Sequence, residues 1–404
     1  MRAPDQPLLF LNIAHAYDHF FMLIFPTAVL ALHRSWDIPY GEALALGTAS
    51  FVAFGAGSLP AGWLGDRWSR AHMMSIFFIG LGISAILTGL AQGPWALAAA
   101  LGLLGLFASI YHPVATALVV QQTQGSGRAL GVNGVFGNMG VAAAALVTGL
   151  LAGMLGWRAA FILPGLIALA TGILFALRIA PQIGEPPAKA AGERAARAPA
   201  HAQLRVFAVV ATTALLGGLI FHGTTIALPK IFEQRLASLT ESLASIGLLV
   251  SLVFAFAAFA QIAVGHLLDR FGARPLLPTI AALQALCLLV ASQLWGLGAL
   301  LVALPLMLLV FGEIPINAWL IGRYAARHWH ARIYAVNYLV AQGVSALAVP
   351  LIAFTYGSSG GFTLLFLMLG GMAFLVALCA LLLPRLRLRP QDAMRAAPAA
   401  RRVA

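Results

Sequence analysis

Three side chains able to carry or exchange a proton lie close together near the start of the chain. His15, Asp18 and His19 stand between residues 8 and 32, a stretch with no other charged residue or histidine. On a helix, positions three and four apart share a face, and Asn12 joins that face one turn earlier. A charge at the centre of a bilayer costs about 2.5–3.5 kcal/mol on insertion scales, so such residues usually face a water-filled cavity or a partner. We therefore expect a proton or substrate site here; the alternative is a packing site with its polar groups paired across a helix interface.

The element that must position these residues is a membrane-spanning helix. The chain has 404 residues, of which 61% are hydrophobic and only 9% are charged, against about 25% charged residues in soluble proteins. Its mean hydropathy is +0.93. Long, continuous apolar runs favour helices over barrel strands, because a helix satisfies its own backbone groups in lipid. The composition predicts an all-α membrane protein whose first apolar segment is a span rather than a cleaved signal peptide.

Hydropathy predicts twelve spans in two sets of six. They cover roughly 8–32, 43–64, 73–91, 95–120, 130–154, 159–180, 205–229, 243–267, 276–294, 297–322, 333–356 and 361–384. A stretch rich in Pro, Ala and Gly follows the sixth span and is typical of a linker. We therefore divide the chain into an N-terminal half (1–180), a linker (181–204), a C-terminal half (205–384) and a basic tail (385–404).

The basic residues predict the orientation of the chain in the membrane. On this layout, 20 of the 24 Arg and Lys residues fall on the side of the termini, the linker and the even-numbered loops; Arg34, Arg158, Lys230 and Arg235 fall on the other side. The positive-inside rule then places both termini in the cytoplasm. The net charge of +12 is thereby explained by topology and by attraction to anionic lipid. No basic patch interleaved with aromatic residues indicates a nucleic-acid partner.

The two halves repeat each other. Gly62-Trp-Leu-Gly-Asp-Arg-Trp-Ser-Arg70 follows the second span, and Gly265-His-Leu-Leu-Asp-Arg-Phe-Gly-Ala-Arg274 follows the eighth. Arg128 to Asn133 opens the fifth span in the way that Arg332 to Asn337 opens the eleventh. His19 stands seven residues before a proline in the first span, and His222 does the same in the seventh. Three matches in register favour an internal duplication.

These loops, in a layout of six spans, a linker and six spans, resemble the major facilitator superfamily over essentially the whole chain. The resemblance implies the major facilitator fold, with two pseudo-symmetric six-helix halves that rock about a central site. It also implies a conformational-switch role for the motif loops, through Gly62, Asp66, Arg67, Arg70, Gly265, Asp269, Arg270 and Arg274. A narrower resemblance, to the fosmidomycin-resistance branch of bacterial efflux carriers, rests on His15 to Asp18, Phe107 to Pro113 and Gly137 to Gly140.

In that superfamily spans 1, 4, 7 and 10 line the central cavity, and this chain places an ionisable residue in each of them. We predict proton coupling by Asp18, His15, His19 and Glu313, and substrate binding by Asn12, His112, His222 and Asn317. Imidazoles titrate near neutral pH, which suits a proton relay. Metal binding by the four histidines is chemically possible, but their sequence spacing is no recognised ligand motif. We therefore expect no metal and no cofactor.

The glycines of the fifth span predict a close-packing face. Gly131, Gly134, Gly137 and Gly140 recur every three residues, and small residues allow helices to approach closely in a membrane. We expect this face to lie against the eighth span, which offers Gly247 and neighbouring small residues.

The sequence predicts a secondary transporter of the bacterial inner membrane that acts as a monomer. Its expected partners are a small-molecule substrate, the proton and the lipid bilayer. No nucleotide-binding glycine loop is present, so ATP does not drive it directly. Proton-coupled export of a small organic or drug-like compound leads; proton-coupled uptake of an organic acid or metabolite is the alternative. A non-transporting membrane sensor and a membrane-embedded enzyme are weaker alternatives, since neither a large soluble domain nor a nucleophile with a positioned base is readable.

Overall fold

Apolar helices build the structure, which is a computed structural model describing residues 5–123, 127–183, 200–324, 336–337 and 339–384. Within those residues, twelve helices are long and apolar enough to cross a membrane. Spans 1 to 6 are Gln6–Ser35, Tyr40–Arg67, Arg70–Leu90, Pro94–Gln122, Ala129–Leu155 and Trp157–Gln182. Spans 7 to 12 are Gln203–Arg235, Leu243–Phe271, Ala273–Ala291, Gly296–Tyr324, Leu339–Ser359 and Thr363–Ala380. The predicted all-α membrane fold of twelve helices is confirmed.

Several spans are broken or locally unwound. Span 2 comprises helices Tyr40–Ala45 and Thr48–Arg67, span 4 comprises Pro94–Ala108 and Tyr111–Gln122, and span 8 comprises Leu243–Ala258 and Ala260–Phe271. Spans 6 and 7 contain π-helical turns at Phe175–Ile179 and Thr213–Gly217. Such turns are rare and often lie at functional sites. The π-helical turn in span 7 ends at Gly217, and the helix that carries His222 begins at the next residue, Gly218.

Span 7 is longer than the sequence predicted. Its last helix runs from Gly218 to Arg235, whereas hydropathy placed the end at 229 with the following charges in a loop. Lys230 and Arg235 are therefore buried helical residues at 7% and 3% exposure. The hydropathy estimate stopped early because charged side chains lower the average even where they are paired inside the protein.

The halves pack on each other along three pairs of spans: 5 with 8, 2 with 11 and 1 with 7. Gly149 and Gly247 make the first contact close, because a Cβ atom added at Gly149 would lie 3.1 Å from the Cα of Gly247 and 2.5 Å from the carbonyl oxygen of Leu243. Gly41 of span 2 is similarly close to the carbonyl oxygen of Ala353 in span 11, at 3.1 Å. Small residues thus let the helices of opposite halves approach at backbone distance.

Buried apolar side chains form two cores. The larger runs through both halves, and the smaller joins spans 7, 8, 9, 10 and 12 near the start of span 7, around Val206, Leu277 and Ile316. Many large apolar side chains on the outside are exposed, among them Phe256, Phe354 and Leu301. An apolar exterior of this kind suits lipid.

The predicted linker and tail fall mostly outside the described residues. Residues 184–199 and 385–404 belong to that part, so the boundaries 181–204 and 385–404 remain predictions.

Candidate functional site

A carboxylate buried between two helices is the centre of the site. Asp18 is fully buried, and its Oδ2 lies 3.0 Å from Nε2 of His112, whose side chain is 11% exposed. The other oxygen, Oδ1, is also buried and has no hydrogen-bond partner among the residues that the structure describes. A carboxylate in this position is stable only if it is paired or protonated. Span 1 and span 4 therefore meet at a group that can hold a proton.

A break in span 4 presents His112 to span 1. Its first helix ends at Ala108 and the next begins at Tyr111. Pro113 has no N–H group with which to bond the carbonyl of Ser109, and its ring disfavours a continuous helix. The new helix begins just before His112, and Tyr111 beside it is fully buried.

Three imidazoles surround the carboxylate. The ring centroids of His15 and His19 are 5.1 Å apart, those of His15 and His112 are 5.4 Å apart, and those of His19 and His112 are 5.5 Å apart. The structure thus brings together His15, Asp18 and His19, which sequence spacing linked, with His112 from another span. Each histidine can offer one ring nitrogen such that the three nitrogens lie within 4.8 Å of one another.

Asparagines hold this cluster in place. Nδ1 of His15 donates to the backbone carbonyl of Asn133 in span 5 at 2.7 Å. The side chain of Asn133 donates to Oδ1 of Asn12 at 2.9 Å and accepts from the hydroxyl of Tyr111 at 3.1 Å. The ring of Tyr111 stacks on that of His15 at 4.7 Å. Asn12, predicted to bind substrate, is buried at 6% exposure and acts here as a structural partner of Asn133.

The glycine face of span 5 contacts span 1, not span 8 as predicted. A Cβ atom at Gly137 would lie 2.6 Å from Nε2 of His15, and one at Gly140 would lie 2.2 Å from the carbonyl oxygen of Ala16. Gly131 and Gly134 have open space around them. Gly149, nearer the C-terminal end of the same helix, makes the contact with span 8. The prediction failed because a three-residue spacing specifies a face but not the neighbour that covers it.

A cavity opens between the two halves next to this cluster. It is narrow, with a cavity volume of about 20 Å³, which is room for about one water molecule. The N-terminal half contributes Asp18 and His19, and the C-terminal half contributes His222, Thr225 and Gln342; apolar side chains such as Phe54 and Phe221 complete the wall. The predicted residues Asp18, His19 and His222 therefore do face a common space between the halves.

Glu313 and Asn317 lie elsewhere, in the interior of the C-terminal half. Oε2 of Glu313 accepts a hydrogen bond of 2.8 Å from the amide of Gln284 in span 9. Asn317 accepts from the hydroxyl of Thr213 at 2.5 Å and donates to Asn337 at 3.4 Å. Neither Glu313 nor Asn317 is among the residues that line the central cavity. Glu313 was expected to face the cavity because of its position in the sequence repeat. The repeat predicts how far along its helix a residue lies, but not the direction of its side chain.

A charged cluster missed by the sequence analysis joins the halves at one end. Glu233 of span 7 is 2.5 Å from Arg34 of span 1 and also pairs with Lys230. The ammonium of Lys230 lies 4.9 Å from the ring of Tyr40 and 5.9 Å from that of Tyr356. We call this end of the molecule the Arg34 end. The signal that could have revealed it is an acid and a base three residues apart at the close of an apolar span.

The first motif loop lies at the opposite end, which we call the Asp66 end. Arg70 donates to Asp66 at 2.8 Å, and Arg67 lies over the ring of Trp63 at 4.9 Å. Gly62 allows close approach to span 4, because a Cβ atom there would lie 3.2 Å from Pro113. The ion pair of Asp66 with Arg70 is thus formed within the loop's own half.

The second motif loop is more open. Asp269, Arg270 and Arg274 are exposed, and none forms an ion pair with the rest of the described chain. Arg270 packs over Phe271 at 5.0 Å, and Gly265 has no neighbour that a Cβ atom would meet. The switch role of both loops remains a prediction.

The chain is similar to one known protein family and to several known transport and resistance proteins. The Major Facilitator Superfamily model matches residues 8–240 and 236–403, which is nearly the whole chain. A probable 4-methylmuconolactone transporter of Cupriavidus pinatubonensis (strain JMP 134 / LMG 1197) is 28% identical over 75% of this chain and 72% of its own. The multidrug resistance protein MdtG of Serratia proteamaculans (strain 568) is 29% identical over 59% of each chain. The puromycin resistance protein pur8 of Streptomyces alboniger is 34% identical, over 28% of this chain and 23% of its own.

Solved structures share the fold at low identity. A bacterial homologue of the human lysosomal transporter Spinster, inward-facing and unoccupied, superposes with a TM-score of 0.70 at 13% identity over 95% of each chain. A POT family transporter in complex with 5-aminolevulinic acid gives 0.72 at 14% identity, over 92% of this chain and 94% of its own. The resemblance predicted from the paired loops is confirmed, while the narrower likeness to fosmidomycin-resistance carriers stays a prediction. The chain belongs to the Major Facilitator Superfamily and is a multi-pass membrane transporter.

Proposed function

We propose that this protein exports a small organic compound in exchange for protons, by alternating access of a site between its two halves. One observation carries the proposal: Asp18, fully buried, lies 3.0 Å from His112 beside a cavity that both halves line. Ionisable residues inside a membrane are costly and usually mark ion or substrate pathways.

Asp18 and His112 can share one proton. If the proton is on His112, the two groups form an ion pair; if it is on Asp18, both are neutral. A buried single charge is much more costly than either arrangement. Loss of the shared proton would leave an unpaired carboxylate, and this is tolerated only when water or a cationic group reaches it. Protonation is thereby linked to whether the cavity is hydrated or occupied.

His19 and His222 connect the proton site to the substrate site. They belong to opposite halves and face the same cavity, whose other polar groups include Thr225 and Gln342. Aromatic walls with a few placed polar groups are typical of small-molecule sites. An organic substrate binding between the halves would contact His19 directly and so affect Asp18, its neighbour on span 1.

The cluster at the Arg34 end would act as a gate. Arg34, in the N-terminal half, pairs with Glu233 in the C-terminal half, so the pair must separate if the halves part at this end. The distribution of basic residues supports an orientation with the Arg34 end outside and both termini in the cytoplasm. The conformation with this pair formed would then be closed to the outside of a bacterial inner membrane.

The names of two relatives support export over uptake. Both a multidrug and a puromycin resistance protein align with this chain, and resistance by transport requires removal of the compound. Among the described residues that line the cavity there is no Lys or Arg, which favours neutral or cationic compounds over multiply charged anions. We propose that the monomer is the functional unit, since one chain supplies both halves of the site.

Transport in proteoliposomes tests the proposal. Purified protein is reconstituted, a pH gradient of either direction is imposed, and uptake of radiolabelled puromycin and a panel of lipophilic cations is followed. Accumulation on the acidic side that collapses with a protonophore is the expected result. Accumulation that ignores the pH gradient in both directions would contradict proton coupling.

Proton-coupled uptake of an organic acid is the second candidate. Its support is the relative that aligns over most of this chain, a probable 4-methylmuconolactone transporter. In the same proteoliposomes, 4-methylmuconolactone moving with the proton, toward the alkaline side, would favour uptake. Movement of puromycin against the proton would favour export.

A further inference from the structure

The three histidines of the N-terminal half form a compact donor set of the kind that binds transition metals. His15, His19 and His112 can each direct one ring nitrogen into a group whose members are all within 4.8 Å of one another. Their rings form a near-equilateral triangle with centroid separations of 5.1, 5.4 and 5.5 Å. We infer that this cluster is a binding site for one divalent transition-metal ion of the zinc class, a function that goes beyond proton-coupled transport and does not depend on it.

The donor type and number suit zinc. Three histidines with an open fourth position are a common arrangement around a zinc ion, with Zn–N distances of about 2.0–2.1 Å. Tetrahedral geometry at that bond length separates the nitrogens by about 3.3 Å, so the rings need to move inward by at most about 1.5 Å. Side-chain rotation can supply such a movement, and each of the three side chains is partly exposed.

Second partners orient two of the three rings. Nδ1 of His15 donates to the carbonyl of Asn133 at 2.7 Å, which leaves Nε2 as the unprotonated donor of the neutral ring. Nε2 of His112 lies 3.0 Å from the carboxylate of Asp18. A carbonyl or carboxylate behind a ligating histidine is the usual support of a metal site, because it fixes the tautomer and raises the basicity of the ligand.

The open position would face the central cavity. His19 lines the cavity together with Asp18, and His222 of the other half faces the same space. A bound ion would thus present a free coordination position to the cavity, where a water molecule or an oxygen, nitrogen or sulfur donor of a substrate could bind. Spans 1 and 4 would be tied together by the ion, since His15 and His19 belong to one and His112 to the other.

Metal and proton would compete for the same imidazoles. A histidine must be unprotonated at the ligating nitrogen to bind a metal, so metal binding weakens as the pH falls and displaces any proton held there into the solution. The groups that face the cluster are Asp18 on span 1, Tyr111 beside His112 on span 4, and His222 on span 7 across the cavity. Of these, Asp18 adds a negative charge that favours a cation, while the other two are uncharged when the histidine is neutral.

Zinc binding by the full-length protein, purified without a histidine tag, tests the inference. After treatment with a chelator, Zn²⁺ is titrated by calorimetry and Co²⁺ is titrated by visible absorption, where a tetrahedral site gives intense bands. One ion per chain is expected. Replacing His15, His19 or His112 individually by Gln should weaken binding at least about 10-fold, and Asp18→Asn should weaken it by about 10-fold through the support of His112.

Two exposed histidines provide matched controls. His72→Gln and His266→Gln remove an imidazole outside the cluster, and neither should change the affinity. Elution volume and helical circular dichroism of each variant show whether it is folded. Binding of Zn²⁺ that persists in the triple variant lacking His15, His19 and His112, or the absence of one-to-one binding by the folded parent, would overturn the inference. Transport driven by a pH gradient is measured separately in metal-free buffer. If the parent protein transports but binds no Zn²⁺, the metal site is rejected and the proposed transport function stands.

Discussion

The two halves share one repeated arrangement of helices but differ in the side chains at corresponding positions. The repeat aligns His19 with His222, His15 with Gly218 and Asp18 with Phe221. In the N-terminal half, the imidazole of His15 packs on Gly137 of span 5. In the C-terminal half the small residue is on the first helix of the pair: Gly218 of span 7 packs on Ala341 and Val344 of span 11. A Cβ atom added at Gly218 would lie 2.6 Å from the side chain of Val344 and 3.0 Å from the carbonyl oxygen of Ala341.

The polar interiors differ in the same sense. In the N-terminal half, Asn133 bonds to His15 and Tyr111, next to a fully buried carboxylate that pairs with His112. Its repeat counterpart Asn337 bonds to Asn317, which also bonds to Thr213, so the corresponding place in the C-terminal half is an uncharged amide and hydroxyl network. Both halves keep a polar contact between corresponding spans, while the cluster of three histidines around a buried carboxylate belongs to the N-terminal half. We infer that the N-terminal half carries the coupling and that the C-terminal half supplies mainly the opposing wall.

The largest expected effect separates the two membrane carboxylates. Asp18→Asn removes the carboxylate that we propose shares a proton with His112, so transport driven by a pH gradient should fall by at least about 10²-fold, a loss typical of removing a proton-transfer group. Glu313→Gln, in the C-terminal half, keeps the hydrogen bond to Gln284 possible and should reduce transport only a few-fold. The measurement is initial transport rate in proteoliposomes at equal protein content.

Exchange of substrate without a pH gradient serves as the control for both variants. Asp18→Asn should still exchange labelled for unlabelled substrate, because binding and rocking do not require a net proton movement. Equal losses in the Asp18 and Glu313 variants would break the proposed asymmetry between the halves.

The next effect concerns the close packing of span 5 on span 1, one residue along from His15. Gly140→Val places side-chain atoms where a Cβ atom alone would lie 2.2 Å from the carbonyl oxygen of Ala16. Overpacking of a tight contact costs about 1–3 kcal/mol, so the midpoint of thermal unfolding in detergent should fall. Gly134→Val, on the same helix but in open space, should leave the midpoint unchanged. A similar decrease in both would show that helix propensity, rather than the contact with span 1, sets the cost.

A smaller effect is expected at the Arg34 end. Glu233→Gln leaves Lys230, which is 7% exposed, without its carboxylate, and it removes the pair with Arg34 that joins the halves. The halves should part more often at this end. A cysteine at Ala353, which packs on Gly41, should then react several-fold faster with a membrane-impermeant thiol reagent, in a background lacking Cys287 and Cys379.

The exposed acid Glu241 provides the control for this change. It belongs to the turn after span 7 and is exposed, so Glu241→Gln alters the same net charge without touching the gate. If Glu233→Gln and Glu241→Gln change the labelling rate of the cysteine equally, the result is explained by the changed net charge near the thiol and not by separation of the halves.

Much of the fold follows from the sequence, because it depends on averages over many residues. Twelve spans, two halves and the paired loops come from hydropathy and repetition, which single side chains hardly alter. The link between His15, Asp18 and His19 also follows, since spacing on one helix fixes the shared face.

The sequence does not predict which side chains of different helices come into contact. The approach of His112 to Asp18 depends on a break at Ser109 and on how span 4 rotates, and the direction of Glu313 toward Gln284 depends on the packing of span 9. Burial of Lys230 and Glu233 follows from the continuation of span 7 to Arg235, which hydropathy did not predict. These features rest on a few long-range contacts, for which periodicity carries no signal.

The smallest expected effect lies in the motif loops, where the halves again differ. Asp66 pairs with Arg70 at 2.8 Å, but its side chain is 70% exposed, whereas Asp269 forms no ion pair within the described chain. Exposed pairs contribute about 0.2–1 kcal/mol, so Asp66→Asn should lower stability by less than about 1 kcal/mol and Asp269→Asn by still less. If the loops serve as switches, transport rate should respond more than stability does. A double-mutant cycle of Asp66→Asn with Arg70→Gln, read by both thermal unfolding and transport, separates the two. Coupling in transport without coupling in stability would assign the pair a role in rocking, and coupling confined to stability would leave it as a loop contact of the N-terminal half.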